Sequence, residues 1–259
     1  MSIGHGDYSR ILSAIPMKRG TEKIIEAFFG DREDVIIRAP AGTGKTFVAV
    51  AYAICEALEG RRTAIFFRTK AELENALRIA KTIVESTGIE IPDGTIIPLV
   101  GRESICIYGE KGFEKLPDFA KALYCLVMQC PVRFRRVPGR PKLKESLEKY
   151  RNFYTGYRAC PYHTLLREAR NAPVVFATHP FLVYDELFRY LGNIDNAIID
   201  EAHALNIITY TIKRDEYRRG REIAEMLVER ERELRERGER GGVISRWIME
   251  NWAFERKKI

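Results

Sequence analysis

Ala39-Pro40-Ala41-Gly42-Thr43-Gly44-Lys45-Thr46 stands between two segments of different character. Upstream, Val35-Ile36-Ile37 is a short apolar run behind the turn formers Asp31 and Asp34. Downstream, Phe47 to Leu58 is rich in Ala, Val and Leu and free of Gly and Pro. The stretch therefore sits where a buried strand should give way to a helix, which is the setting of a phosphate-binding loop rather than of an ordinary Gly-rich turn. Gly42 and Gly44 permit a tight backbone whose N–H groups face an anion, and the positive end of the following helix adds to the attraction. Ala41, Gly42, Thr43, Gly44, Lys45 and Thr46 form the expected cradle. Lys45 is expected to reach the β- and γ-phosphates, and the Thr46 hydroxyl to ligate Mg²⁺. The strict pattern has Gly where Ala39 stands, and Ala is small enough to leave the cradle possible.

The 259 residues leave room for one large domain or two small ones. With 46% hydrophobic and 31% charged residues, the composition is that of a soluble globular protein able to bury a core. No apolar run approaches a membrane span and residues 1–20 lack the apolar core of a signal peptide. The reading is a cytoplasmic protein without a membrane partner. A net charge of +7 favours a polyanionic partner.

Outward from the loop, residues 1–16 show little pattern, and Ile24, Ile25, Phe28 and Phe29 make a helical stripe within Lys18–Phe29 that Gly30 stops. Thr63-Ala64-Ile65-Phe66-Phe67 reads as the next buried strand, with Arg68-Thr69-Lys70 leaving its carboxyl end. Open α/β sheets bind ligands at such ends, so Arg68 and Thr69 are candidates for a nucleic-acid phosphate, against the alternative of a solvated loop. Ala71–Ser86 follows as an amphipathic helix with Leu73, Leu77, Ala80 and Val84 on one stripe. Strand character returns at Pro173–Thr178, then a helix is expected over His179–Leu191. Ala197-Ile198-Ile199-Asp200-Glu201-Ala202-His203 reads as a buried strand ending in two carboxylates and a histidine. The strand and helix alternation makes the fold α/β with a parallel sheet. Between Lys213 and Arg240 charge of both signs is dense around a narrow stripe of Ile223, Met226, Leu227 and Leu234, the pattern of a helix hairpin or one long helix lying on a partner surface.

Nucleotide hydrolysis requires Mg²⁺ held between a loop hydroxyl and a carboxylate, and a group that orients the attacking water. Asp200, at a strand's end, suits the metal beside Thr46; Glu201 suits the water; His203 suits sensing of the γ-phosphate. The tetrapeptide is weak alone and strong downstream of a good phosphate loop.

Residues 101–172 have a different texture, with four of the five cysteines, many basic residues and the interleaved aromatics Tyr150, Phe153, Tyr154 and Tyr157. They show no strand and helix alternation, so an insertion held by something other than a large core is expected. Eighteen, four and twenty-nine residues separate Cys106, Cys125, Cys130 and Cys160. Zinc ribbons favour two close pairs, and only Cys125 and Cys130 make one. Four thiolates gathered from a long loop suit an Fe–S cube, and spacing leaves both cluster and zinc open. Cys55, among apolar neighbours, reads as a small buried thiol.

With the loop, the acidic box and the cysteines between them in order, nearly the whole chain resembles the amino-terminal portion of the XPD-type DNA helicases, DEAH-box helicases with an iron–sulfur domain. Arg102 before the first cysteine and Cys160-Pro161-Tyr162 at the fourth agree. The resemblance implies a RecA-like P-loop NTPase domain interrupted by a [4Fe–4S] insertion and followed by a partial helical arch. The implied boundaries are 1–100 and 173–206 for the motor domain, 101–172 for the cluster and 207–259 for the arch. It implies ATP and Mg²⁺ as ligands, Lys45, Glu201 and His203 as catalytic groups, and single-stranded or forked DNA as partner. Arg102 would lie between cluster and DNA. Two departures stand out. The family's adenine-reading glutamine upstream of the loop is missing, since the only Gln is Gln129. The family's second motor domain, with its arginine finger, is not supplied by residues 207–259; it would act in trans, or the sequence is a fragment that has lost it. Two other readings remain: a truncated module that grips nucleotide and single-stranded DNA with little ATPase, and a zinc-stapled nucleotide switch acting on a protein partner.

Overall fold

Four short apolar runs become the strands of one parallel sheet in the computed structural model, which describes residues 5–30, 34–106, 137–183 and 191–204. The strands are β1 (Thr63–Phe67), β2 (Ile96–Leu99), β3 (Val174–Thr178) and β4 (Asn196–Ile199), in the spatial order β2-β3-β1-β4. β1 and β3 are continuous apolar runs because helices cover both faces of a parallel sheet. Their register sets Thr63 opposite Val174 and Asn196, and Phe67 opposite Thr178. The chain divides into two compact units, Met1–Gly109 with Phe134–Asn206, and Glu110–Arg133 with Ile207–Ile259; the described residues all belong to the first.

Eight helices are described around this sheet: α1 (His5–Ser13), α2 (Thr21–Phe29), α3 (Lys45–Leu58), α4 (Lys70–Thr87), α5 (Arg102–Ile105), α6 (Leu147–Gly156), α7 (Pro161–Ala169) and α8 (Pro180–Val183). α3 buries Val48, Val50, Ala51, Ala53, Ile54 and Cys55, which is why its sequence is apolar almost all round. α4 buries one stripe, Leu73, Ala76, Leu77, Ala80 and Ile83, with Ile83 rather than Val84 at its end. A capping box opens it: Thr69 Oγ1 accepts from Glu72 N–H while the Glu72 carboxylate accepts from Thr69 N–H. Among the described residues no helix is long and apolar enough to cross a membrane.

Several expectations are revised. Val35-Ile36-Ile37 does not join the sheet. The segment has no regular secondary structure, and Val35 is 39% exposed and Ile36 90% exposed. Three residues offer few ladder hydrogen bonds, and charged Asp34 and Arg38 flank them. β4 is half-buried rather than buried, and among the described residues it pairs with β1 alone. The helix expected over His179–Leu191 is described only as Pro180–Val183. α1 stands where no pattern was read, with Ile11 buried beneath it. Finally, the notion that residues 101–172 lack a core fails from Leu147 onward. Leu147, Tyr150, Tyr154, Leu165, Leu166 and Ala169 belong to the same core as the sheet. The arch segment 207–259, Cys125 and Cys130 lie outside the described residues.

One cation ties the amino ends of three strands together. Arg62, just before β1, donates through its guanidinium to the carbonyls of Ala169, Ala172, Leu191 and Asn193. Its backbone N–H donates to Asp195 Oδ2 at 2.7 Å. The first two carbonyls precede β3 and the others precede β4, so this single side chain fixes where both strands begin. Burial pulls the Arg62 guanidinium below its ordinary range, opposed by the charge of Asp195.

Candidate nucleotide site

The loop is built as its glycines predict. Gly42 and Gly44 have φ of 80° and 89°, in the left-handed region, and Gly44 is the N-cap of α3, so Lys45 and Thr46 are its first residues. Thr21, fully buried at the start of α2, braces the loop from beneath: its hydroxyl donates to Thr43 O at 3.0 Å and accepts from Lys18 N–H at 3.0 Å. The Thr43 hydroxyl donates back to Pro40 O at 2.8 Å. Lys45 Nζ is folded onto its own loop, donating to Ala39 O at 2.7 Å and Pro40 O at 3.1 Å.

Across from the loop, β4 delivers the acidic box. The Asp200 N–H donates to Phe66 O at 2.9 Å, carrying the ladder one residue past the strand. The Thr46 hydroxyl donates to Asp200 Oδ2 at 3.0 Å, joining residues 154 apart in sequence. A hydroxyl and a carboxylate facing each other at the end of a helix are oxygen donors of the kind Mg²⁺ takes. Burial pushes the Asp200 carboxyl above its ordinary range and the Glu201 charge adds to this, while the hydrogen bond from Thr46 pulls the other way. Glu201 follows with φ of 54°, left-handed for a residue with a side chain. Its carboxylate is 36% exposed and lies 3.3 Å from His203 Nε2, so solvent reaches it.

Loop, Asp200, Glu201 and His203 thus come together at the carboxyl end of the sheet, where open α/β sheets place ligands. A further residue there was not singled out by sequence: His179, immediately after β3, whose Nε2 lies 2.9 Å from Asp200 O. Its position at the carboxyl end of a central strand was the available signal.

The other candidates sit apart from this group in the sequence. Arg68 is exposed after β1, and the Thr69 hydroxyl is engaged as the cap of α4. Arg102 opens α5, with its guanidinium carbon 4.9 Å from the centre of the Tyr162 ring. Cys106 ends α5 and Cys160 starts α7; both are buried. Among the described residues no group of three or more His, Cys, Asp or Glu gathers as a metal site. Of the interleaved aromatics, Tyr150 and Tyr154 are fully buried and belong to the core.

No family model matches the chain. It is 30% identical over 179 residues to the ATP-dependent DNA helicase XPD of Sulfolobus acidocaldarius, a match covering 66% of this chain and 29% of that protein. A solved structure described as an XPD helicase superposes with a TM-score of 0.50 at 25% identity, over 78% of this chain and 33% of that one. The chain therefore spans about a third of the length of the relatives it matches. With its parallel sheet, loop and acidic box in the order described, the chain is similar, over a part of their length, to the XPD-type DNA helicases.

Proposed function

We propose that this chain is the ATP-binding and iron–sulfur part of an ATP-dependent DNA helicase, working on single-stranded or forked DNA together with a second motor domain. The observation that carries the reading is the 3.0 Å bond between Thr46 Oγ1 and Asp200 Oδ2, because it joins the two motifs in one site. When bound, Mg²⁺ would neutralise charge on the β- and γ-phosphates, and Thr46 and Asp200 are the residues to hold it. The loop amides orient the triphosphate. Lys45 exchanges its two loop carbonyls for phosphate oxygens. Glu201, partly open to solvent, orients the attacking water, with His203 beside it to sense the γ-phosphate.

Cys106, Cys125, Cys130 and Cys160 would hold a [4Fe–4S] cluster. The two described members fit this role in being buried, Cys106 at the carboxyl end of α5 and Cys160 at the amino end of α7, helices that touch each other. The cluster would staple the segment between them, and Arg102 would lie between it and the DNA. Zinc is the less favoured occupant.

The test is nucleotide binding and hydrolysis by the 259-residue chain with Mg²⁺, with and without single-stranded DNA, then with a second motor domain added. Binding by the chain alone and DNA-stimulated turnover with the second domain are expected. A chain that binds no nucleotide in the presence of Mg²⁺ sinks the reading.

A further inference from the structure

His179 is 7% exposed and tied at two points. Its N–H donates to Phe67 O at 2.8 Å, and its Nε2 lies 2.9 Å from Asp200 O. A carbonyl only accepts, so Nε2 carries the proton and the imidazole is the donor. That carbonyl belongs to the peptide unit joining Asp200 to Glu201. The other polar end of the same unit, the Glu201 N–H, donates to Asp200 Oδ1 at 3.1 Å. One peptide is thus gripped at both its oxygen and its hydrogen. Rotation of this unit sets φ of Glu201, which is 54°, a value that side chains with a Cβ seldom adopt and that persists only where the surroundings hold it. The frame behind the grip is β1: its last two carbonyls, Phe66 O and Phe67 O, anchor Asp200 and His179.

We propose that His179 is a positioning residue whose Nε2–H bond to the Asp200 carbonyl holds Glu201 in its left-handed conformation and so aims the carboxylate at the attacking water. The role in hydrolysis rests on the motor reading above; the hold on the Glu201 backbone does not.

His179→Phe keeps a ring and removes the donor, while His179→Gln returns an amide N–H at the reach of Nε2. With Mg-ATP, DNA and the second motor domain present, His179→Phe should lower kcat by about 10²-fold, the scale of an ångström's misplacement, and leave nucleotide affinity within about twofold. His179→Gln should regain most of the turnover. His179→Phe combined with Glu201→Gln should be no slower than Glu201→Gln alone, because both changes remove the same function. A histidine that merely packs would lower affinity and turnover together and add its loss to that of Glu201→Gln. Wild-type turnover in the Phe variant, or no rescue by Gln, overturns the proposal.

Crystal structures give a readout that needs no hydrolysis. Glu201 should keep positive φ in His179→Gln and lose it in His179→Phe; positive φ in the Phe variant overturns the proposal. Should His179→Phe not fold, His179→Asn, whose amide is too short to reach, takes its place with the same expectations. A chain that binds no nucleotide would fail the motor reading, while these structures would still decide the positioning claim.

Discussion

Lys45 and Thr46 show how two adjacent residues divide a task. Lys45 serves its own loop through surface carbonyls, so Lys45→Ala should abolish binding of a fluorescent nucleotide while leaving the thermal melt nearly unchanged. Thr46 serves a half-buried carboxylate. Thr46→Val should destabilise the metal-free chain by about 1–3 kcal/mol in urea titration, because Asp200 loses a donor. Both residues were legible in the sequence because a phosphate loop is a local pattern: its glycines, lysine and hydroxyl are neighbours. His179 was not, because its meaning lies in a carbonyl 21 residues away that only the fold brings near. A lone histidine after a strand carries no pattern of its own.

At the scale of elements, continuous apolar runs marked β1 and β3, and β2 went unread because Pro98 interrupts it. A proline is tolerated there since β2 is the sheet's edge among the described strands, bonded to β3 alone. The opposite error occurred at Val35–Ile37, where apolar character without enough length did not make a strand. Tyr150 and Tyr154 of α6 lie in the stretch expected to be held by something other than a large core, yet their hydroxyls have partners inside. Tyr150 Oη donates to Ile96 O at 3.1 Å, and Tyr154 Oη donates to Glu168 Oε2 at 2.6 Å. Burial raises the Glu168 carboxyl above its ordinary 4.5, and the Tyr154 hydroxyl opposes the rise. For a raised carboxyl the unfolded chain releases its proton first, so this group's contribution to stability falls as pH climbs from 4.5 through the folded value. Tyr154→Phe removes the opposing donor and widens that window. The variant should therefore be less stable than wild type at neutral pH by about 1–3 kcal/mol, with the gap shrinking toward pH 4.5, as read from urea melts at a series of pH values.

For the whole molecule, the cysteines and the strand staple make separate predictions. Cys106→Ser should lower bound iron and sulfide and open the segment after α5 to protease; full metal content and unchanged resistance would count against the four-cysteine site. Arg62→Met should destabilise the chain by about 3 kcal/mol in denaturant, because four carbonyls lose one shared donor, and Arg62→Lys should recover little since an ammonium cannot span them. That staple has a mechanical consequence. It clamps the rim of the sheet farthest from Asp200, and a guanidinium keeps its charge at every working pH. Strands moored at one rim leave the opposite rim as the place where nucleotide-driven rearrangement can be absorbed. Amide exchange should then respond to nucleotide around residues 200–204 and stay silent around residues 169–172 and 191–195.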